Sequence, residues 1–255
     1  MSQSTVEFQE IRALEQVAFE SWPASEVVPL GGWLMRADAG VTRRANSVFP
    51  QNDPDLPLED AINQVIEFYN HRNLIPRFQI TEASSPFGLD DVLADAGFLY
   101  EMKTYLQTAE IEGSSEASVE HEVELISTPT DEWFSAYARI SSHPPLVLRV
   151  RRGIFNRMPD GKRFALVREG ESIIGISVGV VYQNGIGIFG VRTDDTHKRR
   201  GVATSINNAL LAWARLQGIK NAYLQVEADN EPALRLYHTL GFTTKYAYWY
   251  RQLLD

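Results

Sequence analysis

The chain has 255 residues, of which 44% are hydrophobic and 22% are charged, and its formal net charge is −9. This composition is typical of a globular protein that can bury one large core or two modest ones. No run approaches the roughly 20 apolar residues of a membrane span, and the polar N-terminus lacks the pattern of a signal peptide. We therefore expect a cytoplasmic protein that does not contact membranes.

Cysteine is absent, and the five histidines are scattered. Disulfides, thiolate metal sites and a cysteine nucleophile are thereby excluded. Because no two histidines have the i, i+4 spacing of a helical metal pair, no bound metal is expected.

The negative charge is concentrated in the first half of the chain. Residues 1–112 carry 7 Lys and Arg against 18 Asp and Glu, a net −11, whereas residues 113–255 carry 17 against 15, a net +2. An anionic ligand is therefore expected in the second half. Neither half has the basic face typical of nucleic-acid binding, so nucleic acid is not an expected partner.

In the first half, hydrophobic periodicity predicts a helix over residues 58–72, a strand over 78–81, a helix over 89–96 and a strand ending at 107. Residues 112–118 are small, polar and acidic, which is typical of a linker.

The second half alternates strands and amphipathic helices. Ile206, Leu210 and Trp213 fall on one face of a helix that ends at Gly218, and Asn230 is a candidate N-cap of a short helix. The predicted strands are 123–126, 163–168, 172–182, 187–193, 222–227 and 242–250, and the predicted helices are 131–140, 148–157, 203–217 and one that begins after residue 230.

The two halves end alike. Phe78-Gln79-Ile80 parallels Leu224-Gln225-Val226, and Ala96-Gly97-Phe98 parallels Leu240-Gly241-Phe242. We therefore predict a duplicated α/β module. The predicted domains are residues 1–112 and 119–255.

A G-x-G-x-x-G sequence spans Gly185 to Gly190. A dinucleotide-binding fingerprint should follow a strand and open a helix, with an acidic residue about 20 positions further on. Here a strand and a turn follow, and Leu210 and Leu211 stand where the acidic residue should be. The pattern therefore predicts a glycine-containing strand after a hairpin turn.

Residues 191–204, VRTDDTHKRRGVAT, run from the end of a strand through a basic loop into a helix. Gly201 and Ala203 allow the backbone to approach a ligand closely. The first turn of a helix has unpaired N–H groups, and three consecutive cations add positive charge. The segment predicts an anion site suited to a pyrophosphate, the alternative being a solvated helix start that binds nothing.

This segment resembles the central motif of the GNAT acetyltransferases, Q/R-x-x-G-x-G/A, written here Lys198-Arg199-Arg200-Gly201-Val202-Ala203. Lysine at the first position is a mild departure. The pattern Asn230-x-x-Ala233-x-x-Leu236-Tyr237-x-x-x-Gly241-Phe242 is similar to the C-terminal pattern of the family. Together the motifs cover residues 120–251, and the tandem arrangement resembles GNAT proteins with a degenerate N-terminal half.

The resemblance implies two GNAT-like domains in tandem, each a mixed, mostly antiparallel sheet flanked by helices. In the C-terminal domain the central parallel strands should splay apart and hold acetyl-CoA as co-substrate. The loop before the matching helix of the first half, residues 49–57, contains two aspartates and no Gly, Lys or Arg, so it cannot hold a pyrophosphate. The implied cofactor-binding residues are Val191, Arg192, Thr193, Lys198, Arg199, Arg200, Gly201, Val202, Ala203, Thr204 and Asn230.

By the same resemblance, Tyr237 would protonate the leaving CoA thiolate. Some relatives have a glutamate twelve residues before this tyrosine, where the chain has Gln225, whose amide cannot take a proton. Glu227, on the same face of its strand, is the substitute candidate for the general base. A water chain, or a merely solvated Glu227, remains open.

The implied function is direct transfer of an acetyl group to a primary amine, either a small molecule or a peptide, by a monomer or homodimer. A catalytically inactive acetyl-CoA sensor is the alternative, and a protein-interaction module is a third interpretation. Helix 131–140 and the turn Ser142-His143-Pro144-Pro145 should line the acceptor side, but their residues contain no recognisable substrate code.

Overall fold

A computed structural model describes residues 3–111 and 120–254. The predicted linker, residues 112–118, lies outside the described residues, and the division into domains 1–112 and 119–255 stays a prediction.

The chain folds into two compact units that are not contiguous in sequence. Unit 1 contains the residues up to Thr104, the short segment Gly153–Arg157 and the chain from Tyr246 onwards. Unit 2 contains Tyr105–Arg152 and Met158–Lys245.

Unit 1 has a mixed sheet with the strand order β1-β2-β3-β4-β11, in which β3 and β4 are parallel and the other neighbours are antiparallel. Its core includes the buried rings of Trp33, Phe78 and Phe98. Its elements are α1 (Gln3–Ser21), β1 (Glu26–Leu30), β2 (Trp33–Ala37), β3 (Val48–Pro50), α2 (Leu58–Asn70), β4 (Arg77–Ile80), α3 (Leu89–Asp95), the beginning of β5 (Leu99–Glu110) and most of β11 (Thr243–Gln252).

Unit 2 has the strand order β6-β7-β8-β9-β10-β5, in which β9 and β10 are parallel and β6 to β9 are antiparallel neighbours. Its elements are β6 (Val123–Ile126), α4 (Asp131–Ser141), α5 (Pro145–Arg157, whose last turn belongs to unit 1), β7 (Lys162–Glu169), β8 (Ser172–Tyr182), β9 (Gly185–Thr193), a 3₁₀ turn (Asp195–His197), α6 (Val202–Leu216), β10 (Asn221–Glu227) and α7 (Glu231–Thr239).

The mixed α/β class is confirmed, and both units contain a central parallel pair of strands. Every element predicted for the second half is present, with ends shifted by at most a few residues. The glycine-containing strand is also confirmed, because Gly185 to Gly190 lie within β9 and follow a hairpin turn from β8. Helix α1 and strands β1 and β2 have no counterpart among the elements predicted from the sequence. Phe49 and Pro50, predicted to lie in a loop, instead end β3, which pairs with β2.

Helices cover both faces of the unit 2 sheet. Trp133 of α4 contacts the ring of Phe164 on β7, with the ring centroids 5.2 Å apart. The next residue of β7, Ala165, belongs to the core cluster beneath α6. Because successive strand residues point to opposite faces, α4 and α6 lie on opposite sides of the sheet.

Among the described residues, no helix is long and apolar enough to cross a membrane.

Burial on α6 predicts the stability of unit 2. Leu210 is 0% exposed in the core, whereas Leu216 on the same helix is 82% exposed. We expect Leu210→Ala to lower the free energy of unfolding by about 2–5 kcal/mol, since it leaves a cavity. Leu216→Ala should change it by less than about 0.5 kcal/mol. Urea unfolding of both variants measures the difference, and equal losses would contradict the assigned packing of α6.

Candidate active site

The parallel strands β9 and β10 diverge towards their C-terminal ends. Their paired register runs from Asn221↔Gly185 to Leu224↔Ile188, and residues 189–193 of β9 and 225–227 of β10 continue beyond it. The divergence produces a wedge-shaped opening in the middle of the sheet, with strand backbone along both sides.

A bulge in β9 lies at the point of divergence. Ile176 of β8 pairs with Arg192 and Val178 with Phe189, so two residues of β9 oppose the single residue Ser177. Gly190 in this bulge has φ +60°, a conformation that glycine adopts without strain. The buried Ser177 hydroxyl donates to the Phe189 carbonyl at 3.0 Å, which fixes the backbone at the bulge. The bulge thus redirects the last residues of β9, as bulges near functional sites do.

Beyond the bulge, the side chains of β9 differ in environment. Val191 packs against the core cluster beneath α6, whereas Arg192 is exposed. Thr193 ends the strand, and the backbone N–H of Asp194 donates to the Ile174 carbonyl at 2.8 Å. Arg139 of α4 pairs with the Asp194 carboxylate, which fastens α4 to this end of β9.

The loop between β9 and α6 has a conformation that presents its backbone to solvent. Arg199 has φ +61° and Gly201 has φ +74°, so two residues of the loop are left-handed. α6 begins at Val202, and the Ser205 N–H makes the first helical bond, to the Gly201 carbonyl at 2.9 Å. The N–H groups of the three residues before Ser205 have no partner in a preceding turn, and they point out of the helix start.

The three cations of the loop have different neighbours. Lys198 pairs with Asp195 at 2.6 Å, and Arg200 pairs with Glu169 at 2.7 Å. Arg199 is exposed and, within residues 3–111 and 120–254, makes no ion pair. Arg199 is therefore the cation of this loop that is free to meet an anion.

A carboxylate already lies at this helix start. A Cβ atom added to Gly201 would lie 1.9 Å from Oε2 of Glu120, so the carboxylate rests directly over the glycine. The neighbouring His121 backbone N–H donates to the Ser205 hydroxyl at 3.2 Å, and its Nε2 lies 2.5 Å from the Arg200 carbonyl oxygen. The Glu120 carboxylate thus lies at this helix start, and glycine at 201 provides the space for it.

Close packing brings α6 to the sheet. A Cβ atom on Gly175 of β8 would lie 2.3 Å from Cγ1 of Val202 and 3.0 Å from Cδ1 of Ile206. Glycine is therefore required at 175 for the first turn of α6 to sit where it does. Gly175, Glu120 and His121 are not among the predicted site residues, because they belong to neither motif and only their spatial position relates them to α6.

Helix α7 positions Tyr237. The Asn230 carbonyl oxygen Oδ1 accepts from the Ala233 N–H at 3.2 Å, which confirms Asn230 as the N-cap. Tyr237 is half-buried against the core of unit 2, and its ring centroid lies 6.0 Å from that of Phe242. Burial raises the pKa of Tyr237 to about 12, and the charge of Arg192 opposes this rise. The phenol therefore keeps its proton at neutral pH.

Glu227 occupies a different environment. It is the exposed last residue of β10, and its backbone carbonyl accepts from the Asn230 N–H at 3.1 Å. Of the predicted site residues, Val191 to Thr204 form one continuous wall made of β9, the loop and α6. The charge of Arg192 in that wall acts on Tyr237. By contrast, no contact of the Glu227 side chain with the described residues of that wall supports the assignment of Glu227 as the general base.

The corresponding segment of unit 1 has the opposite character. Its loop, residues 51–57, contains Asp53 and Asp55, and the first turn of α2 contains Glu59 and Asp60. These carboxylates repel an anion from the start of α2.

Comparison with known proteins identifies a family. Residues 8–251 match the model described as "Probable histone acetyltransferase Rv0428c C-terminal". The N-acetyltransferase YobR of Bacillus subtilis, itself described as uncharacterised, is 30% identical over 245 residues, which cover 95% of this chain and 98% of that protein.

Solved structures show the same fold. A GCN5-related N-acetyltransferase from Kribbella flavida superposes with a TM-score of 0.72 at 14% identity and covers 96% of this chain and 95% of its own. A tandem GNAT protein from the clavulanic acid biosynthesis pathway superposes with a TM-score of 0.59 at 12% identity, over 77% of this chain and 70% of its own.

The contact between Gly175 and Val202 generates a prediction. We expect Gly175→Ala to lower the free energy of unfolding by roughly 1–3 kcal/mol, because the added methyl group overlaps Val202. Combining it with Val202→Ala should recover part of that loss, so the two effects will not add in a double-mutant cycle measured by urea unfolding.

Gly185→Ala is the matched control for this cycle, because a Cβ atom there would meet its nearest neighbour at an ordinary 3.6 Å. Strictly additive effects of the Gly175 and Val202 substitutions would contradict the close packing of α6 on β8.

Proposed function

Because the chain belongs to the Rv0428c C-terminal family, and with it to the GNAT superfamily of N-acetyltransferases, we propose that it transfers the acetyl group of acetyl-CoA directly to a primary amine. The observation that carries the proposal is the wedge between β9 and β10, which opens beside the start of α6 and its cationic loop. We propose one such site per chain, in unit 2, and a cytoplasmic reaction.

The residues present fit a pyrophosphate at the start of α6. The N–H groups of residues 202–204 and the guanidinium of Arg199 would bind it in place of the Glu120 carboxylate. The backbone of Val191 and Thr193, which lies beyond the register of β9 with β10, would pair with the amide groups of the pantetheine arm, as an added strand pairs with a sheet edge. Bound in this way, acetyl-CoA supplies the activated thioester, and the wedge orients its carbonyl.

Tyr237 is the proposed general acid. Transfer forms a bond from the amine nitrogen to the acetyl carbon and breaks the carbon–sulfur bond, so the sulfur leaves as a thiolate. A thiol has a pKa near 8.5, and a positioned phenol can supply the proton. Since the pKa of Tyr237 is raised, the acid is protonated throughout the neutral and mildly alkaline range.

Glu227 stays the proposed base that receives the amine proton, directly or through water. Its exposure favours the indirect route, because an exposed carboxylate keeps an ordinary hydration shell. The matched relatives are described as acetyltransferases, which favours an enzyme over the inactive sensor.

A lysine-rich protein is a second candidate acceptor. The matching family model is described as a probable histone acetyltransferase, and the net charge of −9 would attract a basic polypeptide.

Replacement of the proposed acid tests the mechanism. Tyr237→Phe removes the hydroxyl and retains the ring contact with Phe242. We expect kcat to fall by about 10²–10⁴-fold, with the affinity for acetyl-CoA nearly unchanged, because the proton is needed only in the transition state. Steady-state kinetics and calorimetry measure the two quantities.

Tyr246→Phe, a buried tyrosine of unit 1, is the control for general destabilisation. In the wild-type protein, Tyr237 should stay protonated between about pH 7 and pH 10, because its deprotonation requires a pH near 12. Loss of the acid should therefore not lower kcat in this range. Unchanged kcat in Tyr237→Phe when chemistry limits the rate would exclude Tyr237 as the acid.

A further inference from the structure

The charge of Arg192 acts on aromatic groups of three elements. It opposes the rise that burial causes in the pKa of Tyr237 on α7 and of Tyr137 on α4, and it adds to burial in lowering the pKa of His143 in the turn between α4 and α5. These groups come from three different elements, and the ion pair of Arg139 on α4 with Asp194 holds α4 beside the end of β9 that bears Arg192.

A second cation reaches the same place from α5. Arg151 hydrogen-bonds the buried Tyr137 side chain, and its charge also lowers the pKa of His143. Tyr137 is held rigidly, since its ring stacks on Trp133 with the centroids 5.5 Å apart. The hydrogen bond of Arg151 therefore joins it to a side chain that is itself fixed by packing.

Arg192 differs from the other arginines nearby. Arg139 pairs with Asp194, Arg152 with Asp131 and Arg200 with Glu169. Over the described ranges, by contrast, Arg192 donates only to the carbonyl of its neighbour Val191 and has no carboxylate partner. A cation next to the reactive tyrosine is thus left without a counter-ion.

His143 adds an independent observation. Its Nε2 atom is buried and has no hydrogen-bond partner among the residues that the structure describes. The centroids of the His143 and Tyr137 rings lie 6.1 Å apart. A buried polar atom without a partner is costly, and a ligand that bonded to it would remove that cost.

We propose that the amine accepted by this enzyme also carries a carboxylate, which binds to Arg192, Arg151 and Nε2 of His143. The inference rests on the proposed function and names its acceptor class. A planar carboxylate matches the fork of an arginine, and in its neutral form His143 can donate one further bond. A lysine-rich tail would instead bring cations towards two arginines, so this site disfavours it.

The test compares acceptors that differ in one group. Amino acids are assayed beside their α-amides and their decarboxylated amines, together with a lysine-rich histone-tail peptide, by release of free CoA thiol. We expect kcat/KM for the best acid to exceed that of its amide by about 10- to 100-fold, as for one charge-assisted bond. In Arg192→Gln and Arg151→Gln, KM for the acid should rise by a similar factor, and Arg192→Lys should recover part of it.

Arg149→Gln is the matched control, since Arg149 is an exposed arginine of the same helix α5 as Arg151. Calorimetry with acetyl-CoA on the same samples separates the two proposals. If acetyl-CoA binds and the amides or the basic peptide are acetylated in preference to every acid, the carboxylate site is wrong and the acetyltransferase proposal stands. If acetyl-CoA does not bind, the proposed function itself fails.

Discussion

The divergence of β9 from β10 is the constraint on which the site depends. Two paired parallel strands satisfy each other's backbone groups and leave nothing for a ligand. The bulge at Gly190 ends this pairing within the sheet, and the Ser177 hydroxyl fixes the altered backbone. The open backbone is tolerated because it lines a cleft that a ligand or water can fill.

The same divergence sets the positions of the charged groups. Beyond the bulge, β9 directs Val191 into the core and leaves Arg192 exposed among Tyr137, His143 and Tyr237. The loop that follows ends at Gly201, where α6 begins against Gly175. One strand would therefore connect the proposed anion site at its end with the proposed acceptor side along its length.

The two units share a local topology but differ in charge at the start of the connecting helix. In both, a helix connects two parallel strands, yet the start of α2 bears Glu59 and Asp60 whereas the start of α6 follows three cations. The helix dipole is the same in both cases, and the side chains decide whether an anion can approach. Unit 1 thus retains the architecture without the chemistry of the proposed site.

Much of unit 2 could be predicted from sequence, because caps and periodicity are local. Asn230 caps its helix as expected, and the glycine pattern proved to be a strand. The missed features depend on distant partners. Helix α1 has only weak amphipathic character. The roles of Glu120 and Arg151 depend on residues that are distant in sequence and that the fold brings near them.

Hydrogen–deuterium exchange with and without acetyl-CoA tests the central claim most directly, because it reports on backbone N–H groups. The account predicts protection in peptides covering residues 189–205, where β9 leaves the sheet and α6 begins, and no change over residues 51–62 of unit 1. Protection at residues 51–62, or none at 189–205 under saturating acetyl-CoA, would contradict it.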